Sequence, residues 1–266
     1  MSVRQILTSL VLSALLCGAS SLAHAQSAAP KGAKDAAKPA PAAKPAAKPE
    51  AAAAAAAGGA VDAMMDQLWR AAPIDVLVNN AAATFLAQTE HLSFRAADAI
   101  LGPTLHGTMY CTLAAGKRWI EGGHRGVVLS ILSTSTITGR AFTVPSAMAK
   151  SAILAMTRSL AVEWGPKGVR TVAIAPGAFP TPGASGQLRP EGRDEGWAHR
   201  NPLGRAGEHS ELANLASFLI SDQAGYINGE MVVQDGGSHL RSSGAEDLLQ
   251  WTDAQWQKQR EGRAKG

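Results

Sequence analysis

The sequence has few cysteines and few tyrosines. Its two cysteines are Cys17 and Cys111, and Cys17 lies in an N-terminal segment that we expect to be removed. The mature chain then keeps one cysteine, which excludes an internal disulfide. Because Cys111 lies in an apolar helical stretch, we expect a small buried side chain there rather than a nucleophile. Tyr110 and Tyr226 are the two candidates for a phenolic acid or base.

The folded part of the chain also lacks an excess of charge of either sign. From residue 61 onward, 19 basic residues stand against 19 acidic ones, and the net charge of +4 arises in residues 1–60. A nucleic-acid-binding domain normally carries a basic face or stripe. The composition therefore argues against nucleic acid as a partner.

The N-terminal apolar run is too short to cross a membrane. Ile6–Cys17 has 12 residues, whereas a membrane-spanning helix needs about 20. With Arg4 before it and the small residues of Ala23–Ala25 after it, the run is typical of a secretory signal peptide. We therefore predict a signal peptide over residues 1–25, an exported or periplasmic location, and no stable membrane span in the mature chain. An uncleaved hydrophobic anchor and a lipoprotein at Cys17 are the alternatives.

Residues 26–60 are rich in alanine, lysine and proline, with almost no side chains that a core could bury. Such a segment cannot offset the entropy that it would lose on ordering. The repeated "AAKP" units favour extended, semi-rigid backbone. We predict a disordered linker over residues 26–60, a folded domain over 61–240 and a C-terminal helical tail over 241–266.

Apolar strand-like segments alternate with helical ones after the linker. The predicted strands are Ile74–Asn80, Gly126–Ser133, Val169–Gly177 and a last one near residues 229–237. The predicted helices between them cover about residues 93–120, 146–164 and 209–222. Short continuous apolar runs are typical of parallel strands buried on both faces. This alternation predicts an α/β domain with a doubly wound parallel sheet.

Four short motifs follow one another along these elements. "NNAA" (Asn79–Ala82) closes the first strand, and "PGAFPT" (Pro176–Thr181) follows the third. Ser133, Ser146 and Lys150 are separated by twelve and then three residues. "YINGE" and "DGG" flank the last strand. Together they resemble the NNAG, Ser…Tyr-xxx-Lys, PG-xxx-T and last-strand motifs of the short-chain dehydrogenase/reductase family.

Longer segments resemble one branch of that family, the 2,4-dienoyl-CoA reductases. They are "FTVPSAMAKSAILAMTRSLAVEWGPKGVR", the loop "PTPGASGQLRPEGR" and the tail "TDAQW". This branch also has serine at the position of Ser146. The resemblance implies NADPH as cofactor and the reduction of an enoyl- or dienoyl-CoA-like substrate. It also implies an acyl-CoA-like small molecule as partner and a homo-oligomer packed through the two long helices.

The resemblance assigns roles to individual residues. Lys150 would hold the nicotinamide ribose and lower the pKa of the proton donor. Ser135 stands where the branch has its tyrosine, and Thr84 stands where it has an asparagine. The catalytic candidates are Lys150, Ser133, Ser135 and Ser146. The cofactor-binding candidates are Asn79, Asn80, Ala81, Lys150, Pro176, Gly177 and Thr181, and the substrate candidates are Thr84 and Ser146.

The proton donor is the open question in this constellation. Neither tyrosine of the chain matches a position at which the family has its acid. Ser133, Ser135 and Thr84 can donate hydrogen bonds to a substrate carbonyl, but a serine or threonine hydroxyl is far less acidic than a phenol. A water chain at Lys150 is then the remaining proton route, and His106 is a candidate for assisting it.

The sequence has no GxxxGxG turn, the motif with which family members bind the cofactor pyrophosphate. The resemblance starts near residue 61, so we predict a partial Rossmann-like sheet that lacks the first βαβ unit and lies behind a disordered tether. The strand Ile74–Asn80 would then be an exposed apolar edge. Two alternatives to an active reductase stay open, namely an inactive remnant from a rearranged reading frame and an exported binding module on a tether.

Overall fold

The computed structural model describes residues 6–8, 49–181, 188, 201–241 and 245–263. Its strands are β1 (Ile6–Thr8), β2 (Val76–Asn79), β3 (Gly126–Ile131), β4 (Val169–Pro176) and β5 (Met231–Gln234). Its helices are α1 (Pro49–Ala71), α2 (Phe94–Leu101), α3 (Gly107–Gly122), α4 (Ser135–Thr138), α5 (Val144–Trp164), α6 (His209–Ile220) and α7 (Asp253–Arg263). A π-helical turn (Gly102–His106) joins α2 to α3. None of the helices in these ranges is long and apolar enough to span a bilayer.

The described strands form one parallel sheet in the order β1-β2-β3-β4-β5. In register, Asn79 of β2 lies opposite Ser130 of β3, which lies opposite Ala173 of β4. Parallel sheets require cover on both faces. Helices α1, α3 and α5 pack on one face, and α6 packs on the other. The α/β class and the doubly wound parallel sheet predicted from the sequence are confirmed.

The larger core lies between the sheet and helices α1, α3 and α5. Trp119 of α3 is fully buried there, and its indole Nε1 donates a hydrogen bond to the carbonyl of Ile74 at 2.6 Å. Gly116 makes room for Trp164 of α5. Because a Cβ at Gly116 would lie 2.3 Å from the Trp164 ring, a larger residue would force α3 and α5 apart. This packing fixes α5, which carries Lys150, against the sheet.

Helix α6 covers the opposite face of the sheet. Its fully buried Leu219 belongs to the same core cluster as Leu129 of β3. The helix begins with a capping box between Glu208 and Glu211, in which the Glu208 N–H donates to the Glu211 carboxylate at 2.8 Å. At the other end, Arg170 donates to the carbonyl of Leu219 at 3.0 Å. These contacts satisfy backbone groups that a helix leaves open at its ends.

Helix α1 begins earlier than the sequence predicts. The predicted linker covers residues 26–60, whereas α1 begins at Pro49. Alanine has the highest helix propensity, and the run Ala51–Ala57 continues into the amphipathic part of the helix, where Val61 is buried. Residues 26–48 of the predicted linker lie outside the described residues.

For the full chain, the prediction of an exposed edge at the first domain strand is wrong over Val76–Val78, because β1 pairs with these residues in parallel. An added strand satisfies the N–H and C=O groups that a sheet edge leaves unpaired. The three residues of β1 belong to the segment predicted as a signal peptide. The rest of that segment, residues 1–5 and 9–25, lies outside the described residues.

Candidate functional site

Three neighbouring strands, β2, β3 and β4, end at the same edge of the sheet. The predicted site residues Asn79, Ser133 and Pro176 lie at or just after these three strand ends. In open parallel α/β sheets, ligands bind in the crevice outside the carboxyl ends of the strands. We call this region the carboxyl edge, and the structure brings the sequence-predicted residues of all three strands to it.

Lys150 is a buried lysine at the carboxyl edge. It lies on α5 with 7% of its surface exposed, and its Nζ donates a hydrogen bond to the carbonyl of Ile131 at 2.6 Å. Burial lowers the pKa of the Lys150 amine from its ordinary value of 10.5 to about 8, because a low-dielectric environment disfavours the charged form. Among the described residues, Ile131 provides the one recorded acceptor for this amine. A lysine ammonium has three N–H donors, so two remain for a bound group.

The serines lie on the turn that follows β3 and on the first turn of α5. The Oγ of Ser133 accepts a hydrogen bond from the N–H of Ser135 at 3.3 Å. Ser135 is buried and begins the short helix α4. Ser146 lies four residues before Lys150, so the two side chains project from the same face of α5. The predicted catalytic residues therefore come from one continuous segment, between the end of β3 and the second turn of α5.

The two asparagines at the end of β2 have different surroundings. Asn79 is buried, and its Nδ2 donates to the Oγ1 of Thr112 on α3 at 2.9 Å. This amide nitrogen therefore tethers β2 to α3. Asn80 is exposed and Ala81 is half-buried at the carboxyl edge. Of the two asparagines, Asn80 is the exposed one.

The loop after β2 is held by the π-helical turn. Thr104 is fully buried there, and its Oγ1 accepts a hydrogen bond from the Ala83 N–H at 2.9 Å and donates to the Ala83 carbonyl at 3.4 Å. The Oγ1 of Thr108 donates to the Thr104 carbonyl at 2.7 Å. Isolated π turns inside α-helices occur frequently at functional sites. Thr104 thus fixes the residue next to Thr84.

A second hydrogen bond, to the segment just before α5, also holds the loop after β2. The N–H of Ala87 donates to the carbonyl of Phe142 at 2.9 Å. Phe142 has φ 64°, in the left-handed region that residues other than glycine rarely adopt. Thr84 and two further residues therefore lie between two anchored positions, Ala83 and Ala87.

At the end of β4, the backbone of Gly177 lies very close to the residues at the end of β5. The N–H of Gly177 donates to the carbonyl of Gln234 at 2.9 Å. A Cβ on Gly177 would lie 2.5 Å from the Cβ of Asp235, so this position needs glycine. The carboxylate of Asp235 accepts hydrogen bonds from the N–H of Gly237 at 2.9 Å and of His239 at 2.7 Å. The Pro-Gly motif is thus explained in part by packing against β5.

Thr181 closes the described part of the loop after β4. Residues 182–187 and 189–200, which include most of the loop "PTPGASGQLRPEGR", lie outside the described residues. His106, the other candidate for proton transfer, is exposed and stacks on Tyr110 with ring centroids 6.1 Å apart. Within the described ranges, no contact between His106 and Lys150 is recorded.

Two residues of the site escape the sequence reasoning. Thr104 had one available signal, because Gly102 and Pro103 interrupt an otherwise helical stretch. Phe142 had none, since its left-handed backbone follows from contacts distant in sequence. The expectation for Cys111 is confirmed: the residue is buried, and burial raises the pKa of its thiol to about 11.

The chain is similar to known proteins. The family model described as enoyl-(acyl carrier protein) reductase matches residues 17–239. A probable 2,4-dienoyl-CoA reductase of Bacillus subtilis (strain 168) is 43% identical over 169 residues, which cover 63% of this chain and 66% of that protein. The chain thus spans just under two thirds of that relative's length.

Solved structures match with similar coverage. A short chain dehydrogenase from Bacillus anthracis superposes with a TM-score of 0.62 and 37% identity, covering 70% of this chain and 73% of that one. A gluconate 5-dehydrogenase from Burkholderia cenocepacia, in complex with NADP and tartrate, superposes with a TM-score of 0.63 and 28% identity, covering 68% of this chain and 71% of that one. Because the family match includes all three strand ends of the carboxyl edge, the chain belongs to the short-chain dehydrogenase/reductase family.

Proposed function

We propose that this chain is an oxidoreductase that reduces an enoyl- or dienoyl-CoA-like thioester with NADPH. The observation that carries the proposal is the buried amine of Lys150. It donates a hydrogen bond to the carbonyl of Ile131, at the end of β3 and two residues before Ser133. The name of the Bacillus subtilis relative supports the thioester as substrate class. The NADP in the Burkholderia cenocepacia structure supports the cofactor.

The Lys150 amine fits the nicotinamide ribose of the cofactor. Beside the bond to Ile131, two of its N–H donors have no acceptor among the described residues. One of them can donate to a ribose hydroxyl and the other to a water molecule. NADPH supplies the hydride when it is bound. The other residues that would line this end of the cofactor are Asn80, Ala81, Pro176, Gly177 and Thr181.

The hydroxyl groups at the carboxyl edge serve as hydrogen-bond donors. Addition of hydride to a conjugated thioester leaves negative charge on the thioester oxygen, and donors fixed in advance stabilise that charge. The Oγ of Ser133 already accepts from Ser135 N–H, so its O–H can donate to another acceptor. Ser135, Ser146 and Thr84 are the further donors in our proposal.

The same lysine offers a route for the proton. A serine hydroxyl is too weak an acid to protonate the reduced substrate at neutral pH, and neither tyrosine occupies an acid position. An amine with a pKa of about 8 can give up a proton and regain it from water near neutral pH. We therefore assign Lys150 both the ribose contact and the delivery of the proton through water.

We also propose that the chain forms a homo-oligomer through α3 and α5. Apolar side chains stand exposed on both helices, with Leu113 47%, Met148 58% and Val162 78% exposed. Large apolar side chains on one surface are suited to burial against a second copy. Export directed by residues 1–25 likewise remains our proposal.

The proposal is tested by the loss of NADPH absorbance when the full chain meets a 2,4-dienoyl-CoA. We expect turnover by the wild type and its loss in Lys150→Ala. Lys117, an exposed lysine of α3, provides the matched control, and Lys117→Ala should retain activity. Absence of turnover in the wild type, or equal turnover in the two variants, would overturn the proposal.

A further inference from the structure

Phe142 has a backbone conformation that its residue type disfavours. Among the described residues it is the one non-glycine residue with positive φ, at 64°. A bulky residue in this region is a strained outlier that the surrounding structure must enforce. Such outliers cluster at active sites and ligand contacts, where the fixed geometry is used.

Core packing does not account for this strain. Phe142 is 56% exposed and belongs to none of the described hydrophobic clusters. The next residue, Thr143, is 4% exposed and leads directly into α5. The buried neighbour and the hydrogen bond from Ala87 therefore hold the backbone, while the ring stays outside the core.

The backbone of Phe142 connects this residue to the candidate site. The Phe142 carbonyl accepts from the N–H of Ala87, which ends the loop containing Thr84. In the other direction along the chain, Phe142 lies two residues before α5 and four residues before Ser146. The half-buried Phe85 and Leu86 lie in the loop between the two anchored positions. The loop that carries Thr84 and two apolar residues is thus hydrogen-bonded to the backbone of Phe142, which lies close in the chain to Ser146.

We propose that Phe142 is a specificity-determining residue whose ring contacts the acyl chain of the substrate. The inference rests on the proposed function and names the part of the thioester substrate that Phe142 contacts. A fatty acyl chain fits because it is apolar and directly continues the thioester group that the serines would contact. The strained backbone holds the ring in place before the substrate arrives, which lowers the entropy lost on binding.

The test uses the full chain and the variant Phe142→Asn. Asparagine is enriched at positive φ, so this change keeps the backbone conformation and removes the ring. We expect KM for a ten-carbon dienoyl-CoA to rise about tenfold, since several buried methylenes lose a partner. KM for a six-carbon substrate should change less than about twofold, and kcat should change little for either.

The matched control is Phe218→Asn. Phe218 is 41% exposed on α6, which packs on the opposite face of the sheet, so its loss should leave the chain-length preference unchanged. Phe142→Gly is the second variant, because glycine also accepts positive φ; it should reproduce the loss of preference. Circular dichroism and thermal unfolding establish that each variant is folded.

The two proposals fail in different ways. Calorimetric titration with saturated hexanoyl-CoA and decanoyl-CoA reports acyl-chain binding without any reaction. If the wild type turns over no dienoyl-CoA but binds decanoyl-CoA more tightly than Phe142→Asn does, the proposed function fails and the acyl contact holds. An equal preference in Phe142→Asn and wild type, or no acyl-CoA binding by the wild type, overturns the acyl contact.

Discussion

The amine of Lys150 donates a hydrogen bond to the carbonyl of Ile131 at 2.6 Å, and both groups lie at the end of strand β3. This contact places a buried cation where three parallel strands end. It is the one hydrogen bond of this amine within the part of the chain that the structure describes, which leaves two N–H groups for a ligand. The burial of Lys150 also lowers its pKa to about 8.

The lowered pKa of Lys150 makes stability depend on pH. The folded protein holds this proton less tightly than the unfolded chain, whose lysine pKa is near 10.5. Burial of the charged amine therefore lowers the free energy of unfolding by its full amount below pH 8. As the pH rises from about 8 to about 10.5 this destabilisation decreases, because the unfolded chain binds more protons than the folded one in that range. The full cost is about 3 kcal/mol.

Comparison with Lys150→Met measures this effect. We expect the free energy of unfolding of the wild type to rise, relative to that of the variant, between pH 8 and pH 10.5. Urea denaturation at several pH values gives the difference, and groups that titrate equally in both proteins cancel. A difference that stays constant over this range would refute the burial of a charged amine.

Thr104 should act as a positioning residue for the loop that carries Thr84. The substitution Thr104→Val keeps the shape of the side chain but removes both hydrogen bonds to Ala83. We expect it to lower the free energy of unfolding by about 1–3 kcal/mol. Amide hydrogen exchange at Ala83 should accelerate, and KM should rise more than kcat falls.

Thr157→Val is the control for Thr104. The Thr157 hydroxyl donates only within its own helix, to the carbonyl of Ile153 at 2.9 Å. We therefore expect Thr157→Val to lower the free energy of unfolding by less than about 1 kcal/mol and to leave amide exchange at Ala83 unchanged. Unchanged exchange in Thr104→Val would show that the threonine does not hold the loop.

Gly177 should tolerate no side chain. In Gly177→Ala the new Cβ would lie 2.5 Å from the Asp235 Cβ, so β4 and β5 must shift apart at the carboxyl edge. We expect a loss of about 1–3 kcal/mol, seen as a lower Tm. Gly58→Ala, at a position of α1 with nothing within 4 Å, should instead stabilise by about 1 kcal/mol. A Tm for Gly177→Ala at or above that of the wild type would contradict the close approach.

Signal cleavage and strand β1 exclude each other. Cleavage after Ala25 would remove Ile6–Thr8, which pairs with β2, and would leave Val76–Val78 at the sheet edge. We expect N-terminal sequencing of the protein recovered from the periplasm to begin at Gln26. A first residue of Met1 or Ser2 in a protein that stays in the cytoplasm would refute export and leave β1 in place.

The strands and long helices could be predicted because their signals are local. The apolar run that ends at Asn79 and the helix that contains Lys150 are set by composition and periodicity within each segment. The order of the motifs then places Ser133, Lys150 and Gly177 at one edge of the sheet, because parallel strands have their carboxyl ends together.

The remaining features depend on contacts between distant residues. The π turn at Thr104 and the left-handed Phe142 each serve the loop after β2, more than 20 positions away in the chain. The pairing of β1 with β2 joins residues about 70 positions apart. No local propensity encodes such pairings, which is why the sequence predicted an exposed edge instead.

The most direct measurement of the central claim is a calorimetric titration of the full chain with NADPH. We expect saturable binding at one site per chain in the micromolar range, weakened at least tenfold by Lys150→Met and unchanged by Lys117→Met. Absence of binding at millimolar NADPH, or the same affinity in both variants, would contradict the claim that Lys150 holds the cofactor.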